Sequence, residues 1–267
     1  MKRVSTLWGA ALAATVILAA APAAAADAPK TAKEIRACMA QNLVARGALR
    51  DLTLGVFDKE GKVRDLRLRL FWKPSKSGGM RVNLRLLQPP AMAGSSYLLL
   101  QEGRDEEVYF ALPGADRGLR VTGQNMSEPL WGTDFSYGEI KEVLGLIYLG
   151  DTERQADTKV GDRPAYMLST ETMFEKSGYT KVVSYVDQAS CVLVKSEFFA
   201  KGDKPKKVLE ADLSTLLQAD KYWTVLGYTM NDLSKGTHTQ LTLSDLSFDE
   251  RLSDKLFDPK KFFDAKE

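Results

Sequence analysis

The stretch Val63-Arg-Asp-Leu66-Arg-Leu68-Arg-Leu70-Phe-Trp72 alternates apolar and charged side chains. Successive side chains of a strand point to opposite faces, so this run predicts a half-buried strand with one oily and one wet side. Met80-Arg-Val82-Asn-Leu84-Arg-Leu86 repeats the pattern, and Asp58-Lys-Glu-Gly61 and Ser75-Lys-Ser-Gly78-Gly79 supply hairpin turns between such runs. Further strands are expected at 95–101, 106–112 and 119–122, then, after a helical interruption, at 165–172, 180–186, 192–199, 207–212, 222–230 and 237–246. About eleven strands with short turns and few helices predict a mainly β (α+β) fold, a single large antiparallel sheet. Arg67, Arg69, Arg81, Asn83 and Arg85 occupy the outward positions. A transmembrane barrel needs an apolar outside, where Arg costs about 2–4 kcal/mol near the midplane. The sheet is therefore expected to be a soluble barrel or half-barrel with an apolar concave face and a wet convex face.

Two helices are expected. Thr31-Ala-Lys-Glu34 is a capping box, followed by Ile35, Cys38, Met39 and Leu43 on one face, with Gly47 as a stop. Ser136-Tyr-Gly-Glu139 is a second capping box. After it, Ile140, Val143, Leu144 and Ile147 form an apolar stripe, broadened by Leu146, Tyr148 and Leu149, with Gly145 in its middle at a cost of about 1 kcal/mol. A helix this apolar is either a lid over the concave face or a plain core helix. The sequence leaves both open.

The N-terminus, Met1-Lys2-Arg3 followed by an apolar run from Leu7 to Ala21 and Ala-rich sequence into Asp27, has the form of a signal peptide. The expectation is a signal at 1–26, one domain at 27–267 and delivery to the periplasm, with no Cys at the cleavage point to carry a lipid. Removing Lys2 and Arg3 from the 37 basic residues leaves 35, equal to the 35 Asp+Glu. A balanced charge gives no broad field for nucleic acid. One His and two Cys exclude zinc fingers and cysteine-held clusters, and no cofactor or metal is expected. In an oxidising compartment Cys38 and Cys191 are candidates for a disulfide. Closing a loop of about 150 residues would contribute roughly 3–5 kcal/mol; the alternative is two buried thiols.

Catalytic constellations are weak. His238 is the only imidazole, no Gly-x-Ser-x-Gly elbow accompanies it, and its place beside a strand start suits a solvated hairpin residue. Gly55 and Gly61-Lys62 lack phosphate-loop spacing, and Val63 stands where Ser or Thr is required. The run from Lys201 to Lys207 suits a solvated hairpin, and Glu106/Glu107 and Asp249/Glu250 are ordinary surface pairs. Asp134 could serve as a general base, but no nucleophile accompanies it. An enzyme is not expected.

Gly132-Thr133-Asp134-Phe135-Ser136-Tyr137 resembles the signature of the outer-membrane lipoprotein-sorting protein family, LolA-like periplasmic carriers. Tyr179–Asp187, Glu197–Gly202, Tyr222-Trp223, Asn231–Thr239 and Leu256-Phe257-Asp-Pro259 resemble that family's later segments in order and spacing. The resemblance implies a LolA/LolB-like incomplete barrel of about eleven strands, its concave face covered by helices and its interior holding lipid or lipoprotein acyl chains. Expected partners are such chains and an inner-membrane exporter or outer-membrane acceptor. The lining would be Leu66, Leu68, Leu70 and Trp72 from one strand, Val82, Leu84 and Leu86 from the next, and Tyr97, Leu99 and Phe110 beyond. The lid would present Ile140, Val143, Leu144 and Ile147. Ten large apolar side chains left in water would forfeit some 15–30 kcal/mol as an upper bound. Such a trough must be occupied, lidded or filled by its own side chains. A filled trough would suit the alternative reading, a non-transporting module that docks on an envelope complex.

Overall fold

The computed structural model describes residues 29–265, apart from 44–45, 62, 76–78, 103–104, 147–149, 173–176, 245–246 and 250. The expected signal segment and Ile147 lie outside the described residues. Helix α1 spans Ala32–Ala40, and its start carries both halves of the capping box: Glu34 N–H donates to Thr31 Oγ1 and Thr31 N–H to the Glu34 carboxylate. The strands are β1 (Ala48–Phe57), β2 (Val63–Pro74), β3 (Met80–Gln88), β4 (Ser96–Glu102), β5 (Asp105–Ala111), β6 (Leu119–Val121), β7 (Asp151–Arg154), β8 (Thr158–Val160) and β9 (Arg163–Glu171). They continue with β10 (Lys181–Asp187), β11 (Leu193–Phe199), β12 (Lys207–Ala211), β13 (Leu216–Ala219), β14 (Tyr222–Val225), β15 (Gly227–Asp232), β16 (Thr237–Leu243) and β17 (Ser247–Phe248).

The described residues thus hold seventeen strands, not about eleven. The excess comes from β1, short pieces (β7, β8, β13, β17) and the division of 222–230 into β14 and β15 at Leu226. Fifteen strands form one antiparallel sheet in the order β6-β5-β4-β3-β2-β1-β16-β15-β12-β11-β10-β9-β7, with β8 on β9 and β17 on β1; β13 and β14 pair separately. Strands β6 and β7 end the path unpaired with each other, so the sheet is not closed into a barrel. This order has a consequence for the chain. Having meandered out to one edge at β6, it must traverse to the opposite edge at β7 before returning strand by strand to β1. The described residues of that passage, up to Leu146, pack on the sheet's apolar face through Leu130, Trp131, Phe135, Ile140, Val143 and Leu146.

Register makes that face continuous. Leu54 stands opposite Leu66, Leu52 opposite Leu68, Leu68 opposite Leu86, Leu70 opposite Leu84, and Leu84 opposite Tyr97. From the other half, Leu241 and Leu243 face Leu54 and Leu52. Helix α1 adds Ile35 and Met39 to the same core. The Cys38–Cys191 disulfide is formed, with Cα atoms 5.7 Å apart, and ties α1 to the turn between β10 and β11.

The convex face departs from expectation. Arg67 is exposed and Arg69 pairs with Asp51 at 2.7 Å, as a wet face requires. Phe71 and Asn83, however, are fully buried beneath the C-terminal segment, where Leu252, Leu256, Phe257 and Phe262 form a second core. Asn83 Nδ2 donates to the carbonyls of Leu256 and Phe262 at 2.7 and 3.0 Å, and Arg85 donates to Phe262 O at 2.9 Å. Polar residues that read as solvated serve to anchor the tail's backbone carbonyls.

Candidate functional site

The expected lining residues are brought together. Leu66, Leu68, Leu70, Trp72, Val82, Leu84, Leu86, Tyr97 and Leu99 are buried in the concave core, and half-buried Phe110 packs at its edge. Among the described residues they are covered rather than open to solvent. Leu130, Trp131, Phe135, Ile140, Val143 and Leu146 of the traversing segment pack onto them. Phe110 meets Trp131 at 6.1 Å and Tyr137 edge-on at 5.2 Å between ring centres. A pocket of about 60 Å³ remains between Met39, Trp72, Val143, Leu144, Leu193 and Tyr228. That is room for a few water molecules, far short of an acyl chain.

Among the described residues the expected mid-chain α-helix is not formed. Ile140–Leu144 is a five-residue 3-10 turn, ended by Gly145 in the left-handed conformation at φ 75°. Glu139 does reach back to the Ser136 N–H at 2.7 Å, but buried Ser136 Oγ has no hydrogen-bond partner among the described residues, so half of the capping box is missing. The Glu139 N–H donates instead to Ser136 O at 3.2 Å, and its side chain is fully buried with further engagements. Its carboxylate accepts from Lys207 Nζ at 3.0 Å and from the Tyr179 hydroxyl. Ile140 and Val143 are buried, and Leu144 is half-buried beside the small pocket.

The hexapeptide from Gly132 to Tyr137 is a tight loop latched onto the sheet. Thr133 Oγ1 donates to Leu130 O at 2.8 Å and accepts from Phe135 N–H at 3.2 Å, while Leu130 N–H donates to Phe135 O at 2.8 Å. Gly132 adopts φ +68°, with Arg64 against it; a Cβ there would stand 3.1 Å from the guanidinium. Arg64 donates to the carbonyls of Trp131 and Gly132 at 2.8 and 3.0 Å. Asp134 accepts from the hydroxyls of Thr237 and Thr239 at 2.5 and 2.7 Å, and its own N–H donates to Thr239 Oγ1 at 2.9 Å. Lys207 Nζ donates to Asp134 O at 2.7 Å. Asp134 is thus fully engaged in holding the loop and is not arranged as a general base. Tyr97, whose phenol is pushed well above its ordinary pKa by burial and by the nearby Glu106 carboxylate, donates to Tyr137 O at 3.0 Å.

Further ties hold the rest of the segment. Lys141 pairs with Glu106 of β5 at 2.6 Å, both largely buried. Glu142, fully buried, accepts from Ser196 Oγ of β11 at 2.8 Å. Burial depresses the pKa of Arg36 on α1, opposed by its attraction to Glu142. These charged residues were missed by the sequence reading. The signal available was the pair Lys141-Glu142 inside an otherwise apolar run, too many charges for a stripe buried on all sides. His238 lies at the start of β16 in the β15–β16 hairpin, half-buried and stacked on Phe57 at 4.4 Å rather than fully solvated. No group of three or more His, Cys, Asp or Glu suited to a metal occurs among the described residues.

A family model whose description reads "-like: Uncharacterized protein" matches residues 80–262. The chain belongs to that family, and its fold is LolA-like. A domain from Vibrio parahaemolyticus named for outer membrane lipoprotein sorting is 23% identical, with a TM-score of 0.71 over 84% of this chain and 94% of that one. A DUF1329 family protein from Desulfovibrio piger is 20% identical, with a TM-score of 0.72 over 84% and 95%. A LolA superfamily protein from Nitrosomonas europaea is 18% identical, with a TM-score of 0.65 over 86% and 98%. At these identities the likeness concerns the fold. No curated protein matches the sequence. No helix among the described residues is long and apolar enough to cross a membrane.

Proposed function

We propose that this LolA-like protein is a periplasmic carrier that shelters the acyl chains of a lipid or lipoprotein, exported by its segment 1–26, and that its closed state is the one described above. The observation that carries the reading is the way the concave face is covered. An unbroken apolar surface lies beneath a segment with little regular structure of its own, held by buried polar ties: Asp134 to Thr237 and Thr239, Glu139 to Lys207, Lys141 to Glu106. A buried ion pair contributes little net stability, because desolvation offsets its attraction. When such a segment swings into water its charges regain hydration, so opening costs less than lifting an all-apolar plug would. The acyl chains then replace the hydrophobic contacts that the segment gives up.

Leu66, Leu68, Leu70, Trp72, Val82, Leu84, Leu86, Tyr97, Leu99 and Phe110 would meet the cargo, and Ile140, Val143 and Leu144 would form the displaced inner face of the lid. The chain's likeness in fold to a domain named for lipoprotein sorting and to a LolA superfamily protein supports this direction. An inner-membrane exporter or an outer-membrane acceptor would be the exchange partner. A second reading is favoured by the filled interior: a module whose core is permanently closed and which acts by docking. Native mass spectrometry after incubation with a water-soluble acylated lipopeptide separates the two. A carrier gives one-to-one adducts whose yield rises when the latch is loosened by Asp134→Asn; a module gives none in either form.

A further inference from the structure

Three hairpin turns sit side by side at one end of the sheet, because the order β2-β1-β16-β15-β12-β11 makes the β1–β2, β15–β16 and β11–β12 turns neighbours. They touch. Leu233 N–H donates to Lys206 O at 2.9 Å, and a Cβ on Gly236 would lie 3.7 Å from the Lys59 side chain. This rim presents Leu233 at 56% exposure in the β15–β16 turn. Leu233 is held out by construction: buried Asp232 accepts from Ser234 N–H, Ser234 Oγ and Lys235 N–H, which fixes the turn that carries it. An open groove of about 700 Å³ runs under it between Ala200, Lys201, Lys204, Pro205, Lys206 and Ser234.

The charge around that apolar tip is one-sided. Lys201, Lys204, Lys206 and Lys235 are all exposed there, against Asp203 and the buried Asp232, which pairs with Lys235 at 3.3 Å; the neighbouring β1–β2 turn adds Lys59 with Asp58 and Glu60. All the cations of the three turns are lysines, compact and strongly hydrated charges suited to a diffuse anionic layer, whereas Arg would mark geometric recognition of one carboxylate or phosphate. An exposed aliphatic tip ringed by lysines matches the two layers of a membrane interface, acyl boundary and headgroup charge. Residues 201–206 form an exposed hairpin, as the sequence suggests, whereas Lys207 at the end of that run is buried against Glu139 and Asp134; the neighbouring Leu233 gives the exposed charge a purpose.

We infer that this rim docks the protein on an anionic phospholipid surface, Leu233 entering the interface while Lys201, Lys204, Lys206 and Lys235 engage the headgroups. The inference goes beyond the carrier reading and uses other residues. It also places the membrane next to the latch, since Lys207 and Thr237, which bind Asp134, directly follow two of the three turns.

Co-sedimentation with phosphatidylcholine vesicles, with and without phosphatidylglycerol, tests it. The protein is expected to bind the anionic vesicles, more weakly as salt rises, and to ignore pure phosphatidylcholine. Each lysine contributes roughly fivefold, the equivalent of about 1 kcal/mol, so the triple variant Lys201→Gln, Lys204→Gln, Lys206→Gln should bind on the order of a hundredfold more weakly. Leu233→Ser should lose about tenfold. These side chains are exposed, so melting temperatures should not move. Failure to bind anionic vesicles, equal binding to both vesicle types, or wild-type binding by both variants would overturn the proposal, and would leave an acidic protein as the occupant to seek. Loading of a soluble lipopeptide by the same variants should be unchanged, so a failure of carriage is a separate result.

Discussion

Lys207 Nζ lies 3.0 Å from Glu139 Oε2, with the two side chains 7% and 0% exposed. This pair joins the first residue of β12 to the segment that traverses the concave face, and the same ammonium also donates to Asp134 O. A single lysine therefore holds the motif loop and the turn after it. Removing either partner alone leaves a buried charge with nothing to balance it.

Lys207→Met and Glu139→Gln should each destabilise the fold by about 3–5 kcal/mol. The double variant should lose clearly less than the two together, since no uncompensated charge remains. Urea unfolding of the four proteins completes the cycle. Strict additivity would mean that the pair does not act as a unit.

Asp187 gives the fold an acid-labile point. Burial raises its pKa, but hydrogen bonds from Arg163 and Ser190 outweigh that and hold it below the ordinary value of 3.8. A depressed carboxylate contributes stability above its unfolded pKa and loses it as pH falls through the folded one. The melting temperature should therefore decline below about pH 4. Asp187→Asn should melt lower at neutral pH and show a shallower acid decline; an unchanged acid slope would contradict the assignment.

The disulfide should be measurable directly. Cys38→Ala with Cys191→Ala should lower stability by about 3–5 kcal/mol, as expected for a cross-link that closes a loop of 153 residues. A thiol count of the unfolded, unreduced protein should find no free thiol, and two would refute the bond.

How far the sequence spoke depended on whether local pattern or long-range contact decided each element. The alternation at Val63–Trp72 and Met80–Leu86 is a local consequence of one buried face, and β2 and β3 carry it except where the C-terminal segment covers Phe71 and Asn83 on the other face. Helix α1 was likewise legible, because its capping box is local. The segment after Ser136 differs because long-range contacts decide it: Glu139 keeps its bond to the Ser136 N–H but also holds Lys207 and Tyr179, which lie far along the chain. The residues expected to line the trough share one apolar core, yet what packs on them could not be read, since it follows from the strand order that carries the chain from β6 to β7. Asn83 and Arg85 looked wet for the same reason; their partners are the C-terminal carbonyls.

Leu144, half-buried beside the pocket of about 60 Å³, separates lid from core. Leu144→Asp should reduce lipopeptide retention about tenfold or more while costing roughly 1–2 kcal/mol of stability, less than a deeply buried Leu would. Equal damage to folding and to retention would make this turn an ordinary piece of core.

The central claim is that residues 128–146 leave the concave face when acyl chains arrive. Amide hydrogen exchange of that segment, followed with and without a soluble acylated lipopeptide, tests it most directly. The account predicts that loading speeds exchange across 128–146 while β2, β3 and β4 stay protected. Unchanged exchange in that segment at saturating lipopeptide would contradict it.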